Sequence, residues 1–132
     1  MLTKKMITLT LAACLTSLAG AATAQPAANT FNFCTKKSGS ISSGHVGAQQ
    51  EKVIYGPYKV TCGTTSHHFN VKGASGQVPV IVQQLKNGGW ASITAATYDP
   101  SGRFGAGIFR LVIDNRQSNT SVSYAGAFVV PM

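Results

Sequence analysis

Hydrophobic and polar positions alternate with period two over much of the chain, most clearly from Gly107 to Val130. Phe109, Leu111 and Ile113 share one parity and Arg110 and Asp114 the other, and Val122 and Tyr124 alternate with Ser121 and Ser123. A period of two describes a strand with one buried and one wet face. The stretch between the runs, Asp114 to Thr120, consists of residues whose side chains form turns through their own hydrogen bonds. The pattern predicts a β-hairpin that closes the domain, with Phe109, Leu111, Ile113, Val122 and Tyr124 in the core.

Upstream, Phe31 to Thr35 predicts a short first strand with Cys34 near its end. Lys36 to Gln50 is rich in Gly, Ser and Gln and reads as a long surface loop or a poorly specified edge strand. In Glu51 to Cys62, Val53 and Tyr55 and then Tyr58, Val60 and Cys62 form two alternating halves, and Gly56-Pro57 between them points to a bulge or an edge position. His67, Phe69 and Val71 then alternate with His68, Asn70 and Lys72. Val78 to Leu85 begins as a continuous apolar run, which suits a strand covered on both faces, and Pro79 keeps that start at an edge or an end. Asn87-Gly88-Gly89 is the sharpest turn signal and predicts a hairpin of Val80 to Lys86 with Trp90 to Tyr98. Asp99 to Gly102 is a further turn.

About seven short strands with turn chemistry between them, and no helical stretch, predict an all-β fold: one antiparallel β-sandwich, jelly-roll or Ig-like. The segment Gly105 to Tyr124, in which Gly107 leads into Phe109-Arg110-Leu111-Val112-Ile113, a polar turn and Ser123-Tyr124, resembles the closing strands of pre-peptidase C-terminal type domains. The resemblance covers the last half of the chain. It implies a small β-sandwich module of a secreted bacterial protein, although the protease that such domains accompany has no counterpart here.

The start of the chain sets the compartment. Met1 to Lys5 is basic, Met6 to Ala22 is apolar, and Ala22-Thr23-Ala24 has the small residues of a cleavage site. Residues 1–24 read as a signal peptide and 25–132 as the mature domain, in the periplasm or secreted. Leu11-Ala12-Ala13-Cys14 offers the alternative of an outer-membrane lipoprotein anchored at Cys14. No later stretch approaches the ~20 apolar residues of a transmembrane span. Without Cys14, Cys34 and Cys62 form an even pair, and export predicts one disulfide between them.

Loss of Lys4 and Lys5 leaves nine basic residues (11 − 2) against Glu51, Asp99 and Asp114, a formal charge of +6. Such a surface attracts anionic partners. For an exported domain these are an anionic envelope polymer, a polysaccharide or an acidic protein, not nucleic acid. Aromatic residues beside cations suit such a partner. The candidate binding residues are Lys86, Trp90, Tyr98, Arg103 and Arg116, with Tyr55, Tyr58, Lys59 and Phe104 as further members of an aromatic and cationic platform, unless these aromatics are core.

His67-His68 beside Cys62 raises a metal reading, but adjacent strand residues point to opposite faces, and no metal or other cofactor is expected. Catalysis is not expected either. The three carboxylates form no informative pair, and Gly39 to Gly44 lacks the register of a nucleophile elbow. The sequence therefore predicts a non-enzymatic exported binding protein. An inhibitor or accessory subunit for one protein partner, of the lysozyme-inhibitor kind, is the alternative, and a small hydrolase the second.

Overall fold

Period two in the sequence becomes period two in burial, in a computed structural model that describes residues 33–132. The strands are β1 (Lys36–Val46), β2 (Glu51–Val60), β3 (Thr65–Gly73), β4 (Gly76–Gln77), β5 (Val80–Lys86), β6 (Gly89–Ser92), β7 (Gly102–Phe104), β8 (Gly107–Asp114) and β9 (Val122–Pro131). In β3, His67, Phe69 and Val71 are buried while His68, Asn70 and Lys72 are exposed. All pairings are antiparallel and form two sheets. One has the order β1-β9-β3-β4, with β7 also paired to β3, and the other has the order β2-β8-β5-β6. Phe109, Leu111, Ile113, Val80, Val82 and Val130 fill the space between them and are fully buried. This is the expected sandwich, with nine strands among the described residues because the two-residue β4 and three-residue β7 also lie along β3. The predicted signal peptide, Cys14 and the first residues of the predicted domain lie outside the described residues.

The closing segment is not a hairpin. β8 pairs with β2 and β5 in one sheet, and β9 pairs with β1 and β3 in the other. Residues 115–121 therefore arch across the end of the sandwich. Asn115 holds the arch: it is buried, its amide nitrogen donates to Gly47 O and Thr120 O at 2.8 Å each, and its backbone N–H donates to Gln50 O at 2.9 Å. The connection from β1 to β2 crosses at the same end, and Gln49 N donates to Ser118 O at 2.9 Å, so the two crossings brace each other. Period two specifies which face of a strand is buried but not which strand lies beside it.

The Gly/Ser-rich segment is a strand, β1, and it is the edge of its sheet. Cys34 and Thr35 precede it; the predicted strand at Phe31 to Thr35 is absent from its described part, Phe33 to Thr35. β1 contributes few apolar side chains because its neighbour fills the space. A Cβ on Gly39 would lie 2.8 Å from the Phe128 ring, and one on Gly44 would lie 2.6 Å from the Tyr124 hydroxyl. The Phe128 ring is itself stacked on Tyr55 at 3.9 Å and has little room to move. Gly39→Ala is expected to destabilise the protein by about 1–3 kcal/mol, as overpacking does. The urea midpoint checks this, and an unchanged midpoint would show that the ring yields freely.

The Asn87-Gly88 turn signal holds, whereas Gly102, predicted to end a turn, begins β7. Asn87 and Gly88 have φ of 51° and 79°, the two positive values of a tight hairpin turn, and pair Leu85 with Trp90. The second strand of that hairpin ends at Ser92, short of the predicted Tyr98, after which Thr97 returns to bridge Val80. Gly56-Pro57 is a cis peptide flanked by register shifts in β2, the edge strand of its sheet. Pro79 sits just before β5, whose first four residues are all buried, as a strand covered on both faces requires.

Candidate functional site

The five residues singled out in the sequence do not converge. Lys86 ends β5 at the hairpin turn, and Trp90 lies opposite Leu85 on β6. The Arg110 guanidinium sits 4.3 Å from the centre of the Trp90 ring while its Nε donates to Gln83 Oε1 at 2.8 Å. Trp90 is thus half-buried beneath a cation of its own sheet. Tyr98 is exposed in the segment that crosses between the sheets, and Arg103 lies on β7 opposite Ser66. Arg116 stands in the arch, beyond the end of β8 remote from Lys86.

Arg116 is engaged by acids. Its Nε and Nη2 donate to the two oxygens of Asp114 at 2.8 Å each, and Nη2 lies 3.5 Å from Glu51. The register that sets Glu51 opposite Asp114 brings both carboxylates to it. The hydrogen bond from Arg116 holds the Asp114 carboxyl below the usual carboxylate range, and the pairing raises Arg116 in turn. Asp99 is also used locally: it accepts from Ser101 N, hydrogen bonding by the Ser101 side chain and then by its backbone lowers it, and Ser101 Oγ bonds the backbone of Phe69.

The other aromatics form core. Tyr55 stacks on Phe128 and lies 5.3 Å from Tyr58, and Phe104 packs edge-on to His67 at 5.0 Å. Tyr58 Oη and His67 Nδ1 share a hydrogen bond of 2.8 Å. A hydroxyl on an imidazole is an arrangement that catalysis uses. Here His67 is wholly buried and Tyr58 nearly so. Among the described residues no three His, Cys, Asp or Glu side chains lie close enough to hold a metal ion.

What the structure does assemble is a cleft between the two edge strands that face each other, β1 and β2. It encloses about 510 Å³, and Lys37, Ser40 and Ile41 on one wall face Tyr55, Pro57 and Lys59 on the other. No Asp or Glu side chain lines it. Lys36 adjoins Lys37, and Lys52 on β2 donates to His45 O at 3.1 Å and lies 5.4 Å from the centre of the Tyr124 ring. Four of the nine lysines and arginines among the described residues thus belong to these two strands, whereas both acids near Arg116 are consumed at the far end. A hollow of similar size, about 490 Å³, lies at the Val46 end and takes in Lys72 and His45. Ser123 Oγ in that hollow is already bonded to Ala74 N, and only one lysine lines it, so the cleft is the better candidate.

Of the cleft cations, the sequence pattern drew attention to Lys59 alone. Lysines on an edge strand are a recognised device for keeping an edge from pairing. That signal was present in Lys36-Lys37 once the Gly/Ser segment is read as an edge strand. No protein-family model and no curated protein matches the chain.

Proposed function

We propose that this is an exported, non-enzymatic binding protein whose partner is anionic, an acidic envelope polymer or an acidic protein, held at the β1–β2 cleft. The observation that carries the reading is the grouping of Lys36, Lys37, Lys52 and Lys59 on the strands flanking one cleft without an acidic side chain in its lining. Lys37 and Lys59 face each other across an opening whose floor is aromatic, so a bound anion would meet cations on both sides and apolar surface beneath. Export is supported by the signal-like start of the chain and by the Cys34–Cys62 bridge, a bond that persists in oxidising compartments.

The test uses polygalacturonate as an anionic probe. Its affinity is expected to fall by about tenfold or more between 50 and 500 mM salt, because exposed charges are screened over a few ångströms at the higher value. Lys37→Glu/Lys59→Glu should weaken binding by a similar factor at low salt, while Lys86→Glu, outside the cleft, should change it less than about twofold. An affinity that ignores both salt and the cleft variant would remove the proposal.

A further inference from the structure

One wall of the cleft is an open sheet edge. Thr35 O accepts from Met132 N at 2.7 Å, and Lys36 to Ile41 pair with Pro131 to Gly126 in unbroken register. Antiparallel pairing alternates residues whose N–H and C=O enter the ladder with residues whose groups point away from it. Counting from Thr35, the backbone groups of Lys37, Gly39 and Ile41 face β9, and those of Lys36, Ser38 and Ser40 face away. Among the described residues β1 is the outermost strand, so this second set lies along its free edge.

Edge strands are ordinarily blunted by proline, bulges, charge or a covering segment. β2 is blunted in this way, since Gly56-Pro57 interrupts it and its register shifts twice. From Lys36 to Ile41, β1 has neither proline nor bulge; its one register shift comes later, between Ile41 and Gly44. The side chains at Ser38, Gly39 and Ser40 are too small to screen the backbone. Among the described residues the remaining protection is the pair Lys36 and Lys37, which repels another basic strand and attracts an acidic one.

We infer that the Lys36–Ile41 edge of β1 accepts an extended acidic polypeptide segment as an added β-strand, with Lys37 and Lys59 meeting its carboxylates. The inference rests on the anionic-partner reading and narrows that partner to a protein. Backbone hydrogen bonds along the edge supply affinity in such pairing, and alternate side chains supply selectivity. A polysaccharide or polyphosphate carries no alternating N–H and C=O groups to match the row on Lys36, Ser38 and Ser40.

The probes are an eight-residue peptide alternating glutamate and threonine, its two forms N-methylated on one or the other set of alternate residues, and polygalacturonate. Titration calorimetry on the full chain is expected to show binding of the parent peptide and a loss of about tenfold or more for one N-methylated form, as several backbone bonds disappear. Ser40→Pro removes an N–H that faces the free edge and leaves the ladder to β9 intact. It should weaken the peptide by a similar factor. If the peptide fails to bind, or if both N-methylated forms bind like the parent, strand addition is overturned, and because that comparison uses the unaltered protein it decides even if Ser40→Pro does not fold. Unchanged peptide affinity in a folded Ser40→Pro variant also overturns it. In either case loss of binding to polygalacturonate in Lys37→Glu/Lys59→Glu would leave the anionic reading standing, and no loss would remove that reading as well.

Discussion

Acidification from pH 7 to pH 4 is expected to lower the stability of the folded protein by roughly 3 kcal/mol through His67 alone. This imidazole is completely buried among Tyr58, Phe69, Phe104 and Phe109; its Nδ1 bonds to Tyr58 Oη at 2.8 Å, and its Nε2 has no partner among the described residues. Burial, and secondarily the neighbouring His68, lowers its pKa from 6.5 to about 4. Burial also raises the Tyr58 phenol, with Tyr55 adding to the rise, so the pair is neutral at pH 7. Between the two His67 values the unfolded chain holds a proton that the folded chain refuses. Stability therefore rises with pH across that window: the contribution is complete above about 6.5, is lost as pH falls to about 4, and does not change further below. At about 1.4 kcal/mol per pH unit the window corresponds to the stated loss. Asp99 and Asp114, both lowered by their hydrogen bonds, lose their contributions in a more acidic range. The measurement is urea unfolding at pH 7 and pH 4.5 for the natural chain and for Tyr58→Phe/His67→Phe, which removes the imidazole without stranding the phenol. The double variant should lose most of the pH slope in this window. An equal slope in both proteins would mean that another group drives it.

That His67 faces inward and His68 outward was legible in the alternation of residues 67–72, because a strand's own period decides which face a side chain takes. The Asn87-Gly88 turn and the Cys34–Cys62 bridge were legible for the same kind of reason: a backbone conformation or a covalent partner is specified by a few local residues or by elimination. Relations between distant strands were not. β8 and β9 have the pattern of a hairpin, yet each found its partners in a different sheet, and what fixes the arch is Asn115 bonding to Gly47, 68 residues away in the chain. β1 read equally as a loop or an edge strand for a different reason. Its apolar share is provided by Phe128 and Tyr124 leaning over Gly39 and Gly44, so its own residues carry almost no hydrophobic signal. The cleft inherits both difficulties, since it lies between strands of different sheets and one of them is β1. Arg116 looked like a free cation at a loop tip because the acid that completes its pairing, Glu51, reaches it only through the β2–β8 register.

Removing the Cys34–Cys62 bridge should lower stability by about 3–4 kcal/mol, the chain-entropy value for a closed loop of this size; the sequence separation is 28 residues. Against a total of roughly 5–15 kcal/mol for a small domain, that is a large share. Its position makes the effect local as well as global. Cys34 lies just before β1 and Cys62 just after β2, while residues 47–50 join the opposite ends of the same two strands. The edge strands of the two sheets are therefore tied at both ends, and the cleft is framed between the ties. Without the bridge, β1 keeps its ladder to β9 but loses its covalent link across the open side, and with few apolar side chains of its own it depends on that ladder. Labelling of the native protein should find neither thiol until a reductant is added. Urea unfolding of Cys34→Ala/Cys62→Ala should then show the lowered stability, and amide exchange should quicken in β1 before it does in β8, whose inward side chains Phe109, Leu111 and Ile113 are all fully buried. Rapid labelling of the native thiols, or a double alanine variant as stable as the natural chain, would show that the bridge does not hold the two edges together.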